Sequence, residues 1–160
     1  MIDWLVFLFT GGFAGAVFAF VFSLFKVGPG KPEFSFGKAV FFSLVAAWSL
    51  PFLFVEYQTR RNTAQLKTAI SEYFESEDCP VYGSIAYYKV LFANEKNAYV
   101  YLVAKEPQDW GGTDKPLLKL KLQKAPADGK GSKIVWHVVK DQVMRSDRLQ
   151  KDSIVWPPYQ

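Results

Sequence analysis

The sequence predicts a membrane-anchored α+β protein, in which a two-helix transmembrane hairpin precedes a small domain of one amphipathic helix on an antiparallel sheet of about four strands. Three observations predict it. Thirteen of the fifteen Phe residues lie before Tyr57, whereas sixteen of the nineteen Lys and Arg residues lie after it. Two stretches in the first third run apolar for the length of a bilayer. The remainder alternates in the manner of strands. Together these divide the chain into residues 1–57, the hairpin, and residues 58–160, an extramembrane domain with an extended tail.

Residues 2–25 carry one charge, Asp3 at the edge. As a helix rising about 1.5 Å per residue they match the roughly 30 Å of hydrocarbon in a bilayer. Residues 34–55 form the second predicted span, with Lys38 near its start, where a long side chain reaches the headgroups. A signal peptide fits poorly, because no Lys or Arg precedes the run and the run is too long. Two all-round apolar helices would also need a large shell to bury them in a soluble protein, and the other hundred residues are too polar to supply it. Between the spans, "KVGPGKPEF" is a turn by composition.

Glycine costs a helix about 1 kcal/mol relative to alanine, so the glycines of "TGGFAGAVFAFVFSLF" need a compensating gain. Gly11, Gly15, Ala19 and Ser23 fall at i, i+4 spacing along one side of the first helix, and Ala39, Ser43 and Ala47 repeat the pattern on the second. Small residues let helix backbones approach closely in lipid, so the expectation is a hairpin zipped along these rows. Gly12 and Ala16 form a further small pair, available to a partner subunit. Pro51 frees a carbonyl one turn earlier and is a candidate kink.

Sidedness is nearly balanced. Lys26, Lys31 and Lys38 flank the loop, and Arg60, Arg61 and Lys67 follow the second span. The flanks of the first helix tip the balance toward a cytoplasmic loop, which leaves the C-terminal domain extracytoplasmic. A single cysteine, Cys79, forms no intrachain disulfide and marks no compartment.

Beyond the spans, Leu66, Ala69, Ile70, Tyr73 and Phe74 mark an amphipathic helix from about Thr59 to Glu77, stopped by Cys79-Pro80. "SIAYYKVLFA" and "AYVYLVAK" flank the polar turn Asn94 to Asn97 and predict a hairpin. "LLKLKLQK" alternates leucine with lysine and so has one wet face. After the link "APADGKGS", the run "KIVWHVVK" predicts a fourth strand with Ile134, Trp136 and Val138 on one face. The tail "DQVMRSDRLQKDSIVWPPYQ" allows a short helix or a further edge strand before Trp156-Pro157-Pro158-Tyr159, an end expected to be extended and polyproline-like, folding back on the domain or touching the bilayer rather than lying along a partner.

Chemistry is sparse. His137 is the only histidine, which excludes a histidine metal cluster or a histidine dyad. Cys79 has neither a second cysteine nor a neighbouring histidine in sequence. Glu72, Glu75, Glu77 and Asp78 make an acidic helix end without a calcium-loop spacing. "DWGGTDK" lacks the Lys-Ser/Thr of a phosphate loop and reads as a flexible turn. No catalytic residue, metal or cofactor is therefore expected, and the chain does not read as an enzyme.

The strongest charge signal runs from Lys115 to Lys140, with seven lysines against one acid, Asp128. Lys115, Lys119 and Lys121 share parity and are expected to form a basic stripe. Arg60 and Arg61 add charge where the chain leaves the bilayer. The targets such a face suits are anionic lipid headgroups or an acidic protein surface rather than nucleic acid, though lysines also keep a wet face soluble and protect sheet edges. The leading expectation is a non-catalytic accessory, structural or assembly subunit that docks on other integral membrane subunits. The order of elements over residues 60–140, a helix and then strands, is similar to that of tethered cystatin-like and NTF2-like domains, including those of secretion and respiratory-assembly proteins. That resemblance implies the alternative, a membrane-tethered binding module for a peptide or small ligand.

Overall fold

The computed structural model describes residues 2–26, 35–108, 111–126 and 134–159. Two long apolar helices, α1 (Ile2–Lys26) and α2 (Phe36–Glu75), precede an antiparallel sheet. Its strands are β1 (Ser84–Ala93), β2 (Asn97–Gln108), β3 (Gly112–Asp114), β4 (Leu117–Pro126), β5 (Ile134–Ser146) and β6 (Lys151–Asp152). They are ordered β1-β2-β4-β5-β6, with β3 paired to β2. The turn expected over Lys26 to Phe34 and most of the link "APADGKGS" lie outside the described residues, as do Asp109 and Trp110.

The chain forms two compact units, Met1–Leu53 with Val155–Tyr159, and Phe54–Ile154. In the first, α1 and the start of α2 run antiparallel. Trp4 stacks on Phe52 at 6.3 Å between ring centres, and Trp48 Nε1 donates to the Leu8 carbonyl at 3.3 Å. Both helices are long and apolar enough to cross a membrane, by length and composition. The tail belongs to this same unit. Val155 is fully buried and its N–H donates to Oδ1 of Asp3 at 3.1 Å, so the buried carboxylate holds a backbone donor. Trp156 and Tyr159 add ring contacts to Phe7 and Phe52. The Trp156–Pro157 bond in this tail is cis.

The second unit holds one core. Leu66, Ala69 and Ile70 from α2 pack on Val100, Leu102, Leu118, Leu120, Leu122 and Trp136. The spacing of the first three places them on one side of the helix, and the β4 leucines alternate with Lys119, Lys121 and Gln123. The helix expected to begin at Thr59 is instead the continuation of the second apolar helix, ending at Glu75. No glycine or proline interrupts residues 52–75, so nothing stops the helix between the two stretches, and Thr59 and Thr63 turn their hydroxyls back to the Val55 and Thr59 carbonyls, a bond that occupies the polar group without ending the helix. Thr59 Oγ1 also accepts the Val90 N–H at 2.9 Å, giving edge strand β1 a partner for one outward donor.

Among the described residues the sheet has six strands where about four are expected. The two additional strands span three residues and two residues, too short to leave an alternation pattern. The Asn94–Asn97 turn is an Asx turn. Asn94 Oδ1 accepts the N–H groups of Lys96 and Asn97 at 2.9 and 2.7 Å, and Asn94 N–H bonds the Asn97 carbonyl. Replacing Leu66 with Ala removes a fully buried side chain from the centre of this core, and is expected to lower stability by about 2–5 kcal/mol in denaturant titration of the detergent-solubilised protein.

Candidate functional site

On the hairpin, the small residues of α1 lie where α2 comes closest. A Cβ added to Gly15 would sit 3.1 Å from both the Leu44 Cα and the Ser43 carbonyl, and one added to Gly11 would meet the Trp48 indole. Ala19 is fully buried, while Ser23 is half-buried and donates to the Phe20 carbonyl at 2.6 Å. On α2, Ala39, Ser43 and Ala47 are half-buried and line an open apolar groove of about 490 Å³ together with Gly15, Phe18 and Phe22. Gly11 and Gly15 therefore meet Trp48 and Leu44, one position along from the Ala39, Ser43 and Ala47 row, and from that row itself the Ser43 carbonyl.

The basic face is assembled differently from the expected stripe. Lys119 and Lys121 stand on β4, a strand flanked by β2 and β5, whereas Lys115 precedes β4 and is not in the strand. Their third companion is Lys140 of β5, the cross-strand partner of Lys121. Tyr99 pairs with Lys121 from the other side, and Gln142 with Lys119. These five side chains line a concavity of about 300 Å³. Lys140 joins them because of a β-bulge. Val138 pairs with Leu122 on the core face and Lys140 with the adjacent Lys121, so Val139 is the extra residue that reverses the alternation. Strict parity along "KIVWHVVK" would have placed Lys140 with Trp136 and Val138. The adjacent valines were the one available signal.

Arg60 and Arg61 lie on α2. Arg60 is exposed and bonds Glu56 at 3.1 Å, and Arg61 meets the Tyr57 hydroxyl at 3.4 Å. Glu56 also accepts Lys89 Nζ of β1 at 2.6 Å. The Lys89 and Arg60 hydrogen bonds hold its carboxyl below the ordinary range.

Candidate reactive groups are few. Cys79 is half-buried, and burial pushes its thiol up, away from the thiolate that nucleophilic chemistry needs. His137 is exposed on β5, paired in register with Gln123. Glu72, Glu75, Glu77 and Asp78 are exposed, and no group of three or more potential metal ligands occurs among the described residues. The Gly111–Lys115 part of "DWGGTDK" includes β3, so a short hairpin with β2 replaces the flexible turn expected there.

One charged residue escaped the sequence reading. Glu106 near the end of β2 is 1% exposed, and its Oε1 accepts Arg148 Nε at 2.9 Å. Arg148 also donates to the Pro80 carbonyl at 2.6 Å and lies over the Tyr82 ring, tying the turn after β5 to the segment before β1. Asp114 sits opposite Glu106 in the β2–β3 pair and accepts the N–H groups of Lys115 and Asp147. An acid at a strand end reads as solvent-exposed in sequence, so nothing there signalled burial.

The fold thus defines a class, an apolar helical hairpin joined to an α+β domain. Comparison with family models, curated proteins and solved structures finds no match to this chain.

Arg148→Met leaves the Glu106 carboxylate buried without its ion-pair partner. Because the guanidinium is 42% exposed, the expected loss of stability lies near the lower end for such pairs, about 2–3 kcal/mol by denaturant titration. For Glu56 the sign follows from a folded value below 4.5: its contribution is complete above that pH and is lost on acidification through the lower folded value. Glu56→Gln is expected to remove that part of the acid-side decline in a melting-temperature profile.

Proposed function

We propose that this chain is a non-catalytic accessory or assembly subunit of a membrane protein complex, anchored by two spans made from α1 and the first part of α2. The observation that carries the reading is the aromatic surface the two helices leave uncovered. Phe9, Phe13 and Phe25 are 77%, 75% and 73% exposed, with Phe41 and Phe42 alike on α2. Soluble proteins seldom expose contiguous apolar surface on this scale, and lipid or a neighbouring protein is the natural cover. The adjoining groove offers a partner helix small residues against which to pack closely. In this reading the extramembrane unit lies on the extracytoplasmic side and turns its lysines toward anionic headgroups or an acidic protein surface.

A membrane-tethered binding module is the second reading. A groove of about 640 Å³ favours it, running from the end of α2 to the start of β1 and lined by Phe74, Cys79, Val81, Tyr82 and Ile85.

Membranes washed in alkaline carbonate and then solubilised in mild detergent test the subunit reading by native mass measurement. The protein is expected to stay with the membrane through the wash and to emerge in an assembly of defined mass. Gly15→Leu, which forces a side chain against the α2 backbone, is expected to lower the yield of that assembly. Release by the wash counts against the anchor, and a lone monomer of the native protein counts against the subunit.

A further inference from the structure

We infer that the open face of the sheet carries a binding site for a phosphate-bearing anion, built from Lys119, Lys121 and Lys140 around Tyr99 and Gln142. The inference extends the basic face of the proposed subunit, yet needs neither the hairpin's docking nor a partner chain.

Lys121 and Lys140 are direct cross-strand partners on one face, where like charges destabilise a sheet. Lys119 lies two residues from Lys121 on the same side, and none of the three has an ion pair among the described residues. The acid next in sequence to Lys140 does not offset them. Asp141 is in register with Leu120, on the core side of the sheet, and its charge acts on Tyr73.

Edge protection accounts for Lys140 alone, on the part of β5 that β6 leaves unpaired, and not for Lys119 and Lys121, because β4 lies inside the sheet. The bulge at Val139 is the feature that turns Lys140 onto this face, and bulges commonly re-aim a side chain toward a site. The result is three ammonium donors, a phenol and a side-chain amide around one concavity. Its volume, about 300 Å³, is at the small end for ligand sites and suits a compact polyanion. Lysines serve such a ligand as point charges, while Tyr99 and Gln142 add neutral donors.

Phosphate of this kind comes from a soluble compound or from a lipid headgroup. The test titrates inorganic pyrophosphate by calorimetry into full-length protein in phosphatidylcholine nanodiscs, in metal-free buffer at about 0.15 M salt. Binding is expected with a Kd below about 1 mM. Lys121→Gln and Lys140→Gln should each weaken it about tenfold, and Lys96→Gln, which removes the same charge from the β1–β2 turn, by less than about twofold. Thermal unfolding of ligand-free Lys140→Gln at or above the native temperature separates lost binding from lost fold; should that variant unfold, Lys119→Gln reads the same loss. Discs containing about 20% phosphatidic acid distinguish the sources. Unchanged pyrophosphate affinity there assigns the site to a soluble phosphate compound, and a roughly tenfold weaker apparent affinity that Lys121→Gln abolishes assigns it to the headgroup. No binding at about 10 mM pyrophosphate, or equal weakening by Lys96→Gln, overturns the inference.

Discussion

One helix carrying two kinds of surface is the constraint on which the structure depends. Along a single helix that continues past Pro51, α2 is apolar on every side up to about Val55 and apolar on one stripe after Thr59. The first stretch has no use for water, and the second is stable only with the sheet against Leu66, Ala69 and Ile70. Helices of this length draw most of their stability from packing rather than propensity, so each stretch of α2 needs its own cover. The polar side chains at the change of surface have defined partners: Glu56 holds Arg60 and Lys89, and Thr59 meets the edge of β1.

The two faces of the sheet differ most clearly along β4, which alternates from Leu118 to Gln123, whereas in β2 Tyr101 and Val103 are buried on the far face as well. Val100, Leu102, Leu118 and Leu120 point to the helix, and Tyr99, Lys119 and Lys121 to the other side. The charged residues inside the unit follow the same economy. Glu106 is buried with Arg148, and Asp114 with two backbone donors, so buried charge is paired or hydrogen-bonded wherever the strands end near the turns.

Much of this fold is legible in the sequence, and the exceptions have physical causes. β1 matches "SIAYYKVLFA" to the residue, because aromatic and β-branched residues run up to an Asx turn that stops them. The leucine and lysine alternation likewise gives β4 its faces. The continuity of α2 is hidden because span length and stripe periodicity are separate signals, and neither reports on the helical turn between them. β3 and β6 are shorter than any pattern. In the candidate basic site, Lys119 and Lys121 are readable from parity, but Lys140 is concealed by a bulge that only cross-strand register discloses. Burial of Glu106 is equally invisible, since its arginine lies forty-two positions away in the chain.

The bond from Val155 to Asp3 joins residues 152 positions apart. On a ribosome, Asp3 and both helices are made long before the Val155 donor, so this one contact to the carboxylate is absent while the intervening strands are synthesised. A contact of this span therefore forms only after the intervening sheet has been made, and a variant truncated before Val155 would lack this main-chain donor to the carboxylate at the start of α1.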